Sequence, residues 1–273
     1  MADVKNLKDM QSTSVATSDP KAFPSLLEKM RPQLAMALPR HMTVDRMLRT
    51  ALTMFRNNEK LGRCDPLSLC AGVVMSSQLG LELGVLGQAF LVPYWNQKKK
   101  QFEAQFIPGW QGLVDLVQRT GRGSVHTGVI FKDQNYTFRD GAVRDLIIQN
   151  ETALDDPNDI THFYAIGWIN GALHPHIELW PTSKMLKHRD RYNKQGDSHY
   201  SYDHWEMYGR KIPLLQVIKY MPKSVELSTA LQMENAAETG SQNLNFKDAV
   251  EGTWTPANEP SNEGQSPAGQ PNE

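Results

Sequence analysis

Two cysteines in 273 residues, no apolar run long enough to cross a bilayer, no Gly-Lys-Ser or Gly-Lys-Thr and almost no net charge are what this chain lacks. Each shortage excludes a class of protein. Cys64 and Cys70 do not have the Cys-x-x-Cys spacing of a zinc or redox site and read as two reduced, partly buried thiols. A membrane span needs about 20 apolar residues in a row, and the N-terminus lacks the charged-then-apolar order of a secretion signal, so the expected location is cytoplasmic. Without a glycine loop leading into Lys and Ser or Thr there is no phosphate cradle for nucleotide hydrolysis. The glycines at 80, 84, 87 and at 121, 123, 128 also miss the Gly-x-Gly-x-x-Gly spacing, which argues against dinucleotide chemistry.

The near-zero charge conceals an asymmetry: residues 1–20 sum to −1, residues 21–223 to +7 and residues 224–273 to −7. A basic body suits a polyanionic partner. Residues 1–20 are polar and aperiodic, and residues 236–273 are rich in Glu, Asn, Gly, Pro and Ser. Neither end carries enough apolar surface to offset its ordering entropy. The expected organisation is a disordered segment 1–20, one α+β domain over 21–235 with helices around short antiparallel hairpins or sheet, and a disordered acidic tail over 236–273.

Two β-prone runs flank Asn96-Gln97-Lys98-Lys99-Lys100-Gln101, which puts three cations on a hairpin tip in water. Thr43 reads as an N-cap for a helix whose apolar face is Val44, Met47, Leu48, Ala51, Leu52 and Phe55, with Arg49 and Arg56 on another face. Asp65 before Pro66 opens a helix that is apolar nearly all round until Gly80, so it should be buried. Trp110, Leu113, Val114 and Val117 give another amphipathic helix, closed by Thr120-Gly121, with Arg119 and Arg122 near its C-terminal dipole. A sheet region follows from about 124 to 180. Asn170-Gly171 predicts a two-residue type I′ turn with Gly167 opposite His174. That register puts Tyr164, Ile166, Trp168, Leu173, Ile177 and Leu179 on one face, and leaves Phe163, Ala165, Gly167, His174, His176 and Glu178 as the open side. Two helices close the body, one with a cationic stripe of Lys184, Lys187 and Arg191, the other with an apolar stripe of Trp205, Tyr208, Ile212 and Leu215.

Metal-dependent nuclease chemistry needs carboxylates converging on a divalent ion. Glu151, Asp155, Asp156 and Asp159 surround Pro157-Asn158 and read as a solvated turn. His174 and His176 point the same way on a strand, with His162 on the opposite face, so the pair reads as exposed rather than metal-bound. The basic-aromatic pattern recurs instead: Lys98 to Lys100 near Tyr94 and Trp95, Arg119 and Arg122 after Trp110, and Lys184 to Arg191 leading into Tyr192, Lys194, Tyr200 and Tyr202. Cations track a phosphate backbone and aromatic faces stack on any base, which is what unselective single-strand binding requires.

At these residues the chain resembles the RecT family of phage single-strand DNA annealing proteins. The resemblance is carried by Leu38-Pro39-Arg40-His41-Met42-Thr43 with Arg46-Met47, by Ser77-Gln78-Leu79-Gly80-Leu81-Glu82, and by Gly87-Gln88-Ala89-Phe90-Leu91-Val92-Pro93-Tyr94. Gly109-Trp110-Gln111-Gly112-Leu113-Val114-Asp115-Leu116 and the stretch from His204-Trp205-Glu206 to Lys219-Tyr220-Met221-Pro222 complete it. It implies ATP-independent annealing of complementary strands by a homo-oligomer, ring or helical filament, that holds the strand along a basic groove. It further implies a phage exonuclease and a host single-strand-binding protein as partners in the host bacterial cell, an annealed duplex intermediate, no catalytic residue and no cofactor, magnesium assisting the DNA rather than filling a protein site. The DNA contacts expected are Lys98, Lys99, Lys100, Trp110, Arg119, Arg122, Lys184, Lys187, Arg191, Arg210, Lys211 and Lys219, with Trp110 shaping the groove. Gln111, Pro213 and Leu215-Gln216 depart from the family's pattern. The alternative from the enzyme class is a metal-dependent phage nuclease using Asp155, Asp156 and Asp159.

Overall fold

The structure is a computed structural model and describes residues 22–84, 86–193, 196, 200–239, 242 and 246–251. The expected disordered segment 1–20, the end of the acidic tail over 252–273, Lys194 and the side chain of Tyr200 lie outside the described residues. The helices are α1 (Ala22–Lys29), α2 (Arg31–Ala37), α3 (Val44–Asn57), α4 (Pro66–Leu79), α5 (Trp110–Arg119), α6 (Thr182–Tyr192), α7 (Tyr200–Asp203), α8 (Trp205–Ile218), α9 (Val225–Thr239) and α10 (Phe246–Glu251). The strands are β1 (Ala89–Asn96), β2 (Gln101–Pro108), β3 (Gly123–Phe131), β4 (Tyr136–Arg139), β5 (Asp145–Ile148), β6 (Ile160–Ile169) and β7 (His176–Pro181). They form two hairpins, β1–β2 and β4–β5, and a three-stranded antiparallel sheet in the order β3–β6–β7.

Helix α4 is the axis of the larger core because its sequence is apolar on every side. Asp65 accepts the Ser68 N–H at 2.9 Å and Pro66 occupies the first turn, where no N–H is needed. At the other end Gly80 adopts φ 63°, and the Leu81 N–H returns to the Ser76 carbonyl at 3.0 Å, which closes the helix in a Schellman arrangement. Leu69, Val73, Met75 and Leu79 between these caps are buried. Each such side chain contributes about 1.5–3 kcal/mol on leaving water. Cys64 and Cys70 are free and buried in this core, and burial pushes the Cys64 thiol up to about 12.

The β1–β2 hairpin lies against α4, and the outer edge of β2 is consumed by other parts of the chain. Asp65 N–H donates to Phe102 O at 2.8 Å, and Ala104 N–H donates to Ser68 Oγ at 2.9 Å. The Gln242 amide accepts from Phe106 N–H and donates to Phe106 O, both at 2.8 Å. Gln78 donates to the Ala249 carbonyl at 2.8 Å, and Ala236, Phe246 and Ala249 are buried. The packed body therefore extends past the expected boundary at 235, because a few apolar residues and one amide in a polar stretch find partners that composition alone does not reveal.

Two expectations for the sheet are corrected. The chain turns at Asn170-Gly171, with Ala172 N–H bonded to Ile169 O at 3.0 Å, but only Gly171 has positive φ, 84°. That is the signature of a type II turn, which splays the strands, whereas type I′ needs positive φ at both central residues. Asn170 is held towards β3 instead, its N–H on Arg122 O and its side-chain amide on Gly121 O, both at 2.9 Å. Pairing with β7 consequently starts at His176, opposite Gly167 rather than His174. The second correction concerns the faces: Phe163, Ala165 and Gly167, expected on the open side, are buried, while Trp168 is 43% exposed. Small side chains at 165 and 167 admit α8. A Cβ at Gly167 would stand 2.6 Å from both Met221 Cε and Val217 Cγ1.

The face under α8 forms the smaller core, with Phe131, Ile160, Phe163, Trp180, Met185, Tyr208 and Ile212, and Leu215 packs against both cores. Helix α8 runs through Pro213 without interruption. The result is an α+β domain in which helices surround short antiparallel sheets, as the sequence predicts.

Candidate nucleic-acid interface

Cations expected to meet DNA divide according to what already holds them. Arg119, in the last turn of α5, is turned inward. Its guanidinium donates to Leu79 O at 3.0 Å and Gly80 O at 2.7 Å, and it also pairs with Asp115. Gln88 donates to Asp115 at 3.2 Å and accepts the Glu82 N–H at 2.8 Å, and Glu82 pairs with Arg46 at 2.8 Å. His41, Met42, Gly80, Glu82, Gln88, Asp115 and Arg119 line one cavity of about 360 Å³. Arg119 thus locks the C-terminal end of α4, with both terminal nitrogens of its guanidinium engaged within the protein although the residue is exposed.

Helix α8 treats its two cations in the same way. Lys211 is 6% exposed and ion-paired with Glu234 of α9 at 2.6 Å. The second oxygen of that carboxylate has no hydrogen-bond partner among the described residues. Arg210 donates to Thr127 O at 2.8 Å and to Glu206 at 2.7 Å, tying α8 to β3. Trp110 is half-buried against the larger core, and its indole N–H lacks a partner among the described residues.

The hairpin tip stays in water. Asn96 Oδ1 accepts the N–H groups of Lys98 at 3.0 Å and Lys99 at 3.1 Å, and Lys100 takes φ 51° to complete the turn. All three lysines are exposed, although Lys99 pairs with Glu103 at 2.6 Å. The tip sits at the N-terminal end of α4 and Arg119 at its C-terminal end; 14 residues separate the ends, about 20 Å at helical rise.

Helix α6 presents Lys184, Lys187 and Arg191, all exposed, while Met185 on its other side is buried. Aromatic rings lie beneath the charges. Lys184 Nζ stands 3.6 Å from the Trp180 ring centre, Arg191 is 5.6 Å from Tyr192, and Arg189 is 4.4 Å from Tyr202 and 5.6 Å from Trp205. His188 bonds the Tyr208 hydroxyl at 3.0 Å. Burial first, and then the nearby Arg191 and Lys184, hold its pKa below the ordinary imidazole value. The helix therefore carries fixed positive charge on rings that restrict where the charge can go.

A further group lies at the opposite end of the six-residue β7, about 17 Å along the strand. Arg122 donates to the Lys223 carbonyl at 3.0 Å, and Lys219 and Tyr220 sit exposed in the same turn after α8. Tyr220 stacks on His176, ring centres 4.7 Å apart and planes 7° apart, and Arg144 lies 2.9 Å from His176 Nδ1. The structure thus joins Arg122 with Lys219 and adds Arg144, Tyr220, His176 and Lys223, which the sequence reading did not assign to DNA. The only local signal for this group was Lys219-Tyr220 followed by Lys223; the stack itself depends on strand register.

Two of the three carboxylates of the nuclease alternative are engaged elsewhere. Asp156 caps the single turn Pro157–Asp159 through the Asn158 N–H at 2.9 Å, and Asp159 pairs with Lys132 at 2.6 Å. Glu151 and Asp155 are exposed. No group of three or more His, Cys, Asp or Glu side chains among the described residues is arranged to hold a metal ion. No helix among them is long and apolar enough to cross a membrane.

A model of the RecT family matches residues 45–248. The chain is also similar to Protein RecT of Escherichia coli (strain K12), 35% identical over 209 residues that cover 75% of this chain and 76% of that protein.

Proposed function

This chain belongs to the RecT family, and from that premise we propose that it binds single-stranded DNA and anneals complementary strands without hydrolysing a nucleotide. The observation that carries the reading is the α6 surface, where Lys184, Lys187 and Arg191 are exposed and two of the three lie over aromatic rings. Such charges attract any phosphate backbone and read no base, so complementarity is left to the two strands. Neutralising phosphate on both strands lowers their repulsion, and base stacking, about 1.4 kcal/mol per step, supplies the driving free energy. The exposed hairpin lysines, and the turn carrying Lys219 with Arg122 bonded to it, extend the contact beyond α6.

We further propose that the working form is a homo-oligomer, ring or helical filament, cooperating with a phage exonuclease and a host single-strand-binding protein in the bacterial cytoplasm. Magnesium acts by screening the DNA, and no side chain here is assigned a catalytic role. The test mixes two complementary labelled oligonucleotides with the protein, without nucleotide. Wild type accelerates annealing and leaves strand length unchanged. Lys184→Glu, Lys187→Glu and Arg191→Glu together abolish the acceleration while circular dichroism and melting stay as in wild type. Retained annealing removes α6 from the interface, and strand shortening in magnesium replaces this reading with the nuclease.

A further inference from the structure

The turn after α8 joins to its charges a flat ring, Tyr220, that is among the more exposed aromatic side chains described. Resting on the DNA-binding reading above, we propose that Tyr220, stacked on His176, is a base-stacking platform that takes one unpaired nucleobase of the bound strand. The flanking phosphates fall to Lys219, Lys223 and Arg122.

The platform follows from how the chain packs. Gly167 pairs with His176 across β6 and β7, and the absence of a side chain at 167 lets Val217 and Met221 close on the strand. That approach brings the residue before Met221 onto the neighbouring strand, so the Tyr220 ring meets the His176 ring nearly parallel, 7° between planes. Arg144 fixes the imidazole from the side. A guanidinium only donates, so His176 Nδ1, 2.9 Å away, must be the acceptor and carry no proton. Burial first and Arg144 second hold the His176 pKa below its ordinary value, in keeping with a neutral ring. Arg122 pins the Lys223 carbonyl at 3.0 Å and thereby holds the turn against the loop after α5.

One face of Tyr220 is thus occupied, while the residue remains 58% exposed. A ring already fixed on a second ring loses little side-chain freedom when a base lands on its outer face. Stacking of this kind tolerates any base, as annealing along arbitrary sequence demands.

The test uses full-length protein and a thymidine oligonucleotide carrying 2-aminopurine, read both by affinity and by quenching of the probe on stacking. Wild type binds and quenches. Tyr220→Ala should bind about tenfold or more weakly and lose the quenching, while Tyr220→Phe and Tyr220→Trp retain both. Measurements well below each variant's melting temperature separate the site from the fold. If Tyr220→Ala matches wild type in affinity and quenching, or loses affinity with quenching unchanged, the platform is overturned. The DNA reading survives that result as long as the α6 triple Glu variant fails to bind. If wild type itself does not bind, both fall together.

Discussion

Helices α6 and α8 are close in sequence and both pack against the sheet, yet they use their cations in opposite ways. On α6, Lys184, Lys187 and Arg191 face solvent, and the rings below Lys184 and Arg191 hold rather than neutralise those two charges. On α8, Arg210 and Lys211 are bound to Thr127, Glu206 and Glu234, and their charge is cancelled inside the protein. Both sets are Lys and Arg side chains on helices of the same domain. The difference is whether a carboxylate or carbonyl from another element arrives first, and that decides which cation can be offered to a polyanion.

The largest expected effect breaks the inward half of this contrast. Lys211→Ala leaves the Glu234 carboxylate buried and unpaired, a loss of about 3–5 kcal/mol in folding stability by denaturant titration. Adding Glu234→Leu to Lys211→Met should restore most of that loss, since the pair holds the helices together only by mutual cancellation. Lys187→Ala, on the exposed helix, should stay within about 0.5 kcal/mol of wild type. If Lys211→Ala were as mild, the two helices would not differ as described.

Arg210→Ala comes next. It removes charge-assisted bonds to the Thr127 carbonyl and to Glu206, worth about 1.5–3 kcal/mol. The signature is faster hydrogen exchange in β3, with little change in the salt dependence of DNA binding. A change in salt slope as large as that of an α6 variant would place Arg210 on the DNA instead.

The smallest effect sharpens the outward half. The folded-state pKa of His188 is lowered from an ordinary 6.5, first by burial and then by Arg191 and Lys184. The unfolded chain therefore takes up the proton first, and stability falls as pH drops through 6.5. Lys184→Ala with Arg191→Ala relieves the two lesser causes, so the acid-side loss should shrink without vanishing. Titrating the His188 ring by NMR checks the direction, and an unchanged ring would mean that the stripe does not surround it.

What was legible in the sequence depended on how far each structural cause lay along the chain. Helix α4 could be bounded from Asp65, Pro66 and Gly80 because its caps are local, and the hairpin tip at Lys98 to Lys100 because turn and strand signals are adjacent. The faces of β6 were misread because apolar bulk on Tyr164, Ile166 and Trp168 outweighed the small Ala165 and Gly167, and it is smallness that admits a helix. Asn170-Gly171 did mark a turn, but side-chain and backbone bonds to Gly121 and Arg122 changed its type and shifted the partner of Gly167. The candidate site was legible only in part. The α6 stripe follows from spacing alone, whereas the capture of Arg119 by Leu79, 40 positions away, and of Phe106 by Gln242, 136 positions away, is written in tertiary contacts. The Tyr220–His176 stack was hidden for the same reason.

The most direct measurement is the affinity for a single-stranded oligonucleotide as salt is raised, for wild type and for the variant with Lys184→Ala, Lys187→Ala and Arg191→Ala. Logarithmic affinity should fall linearly with logarithmic salt, and the variant's slope should be smaller by about 2, at roughly 0.7 per lost phosphate contact. A variant with the slope and affinity of wild type would contradict the account, because the strand would then be held somewhere other than α6.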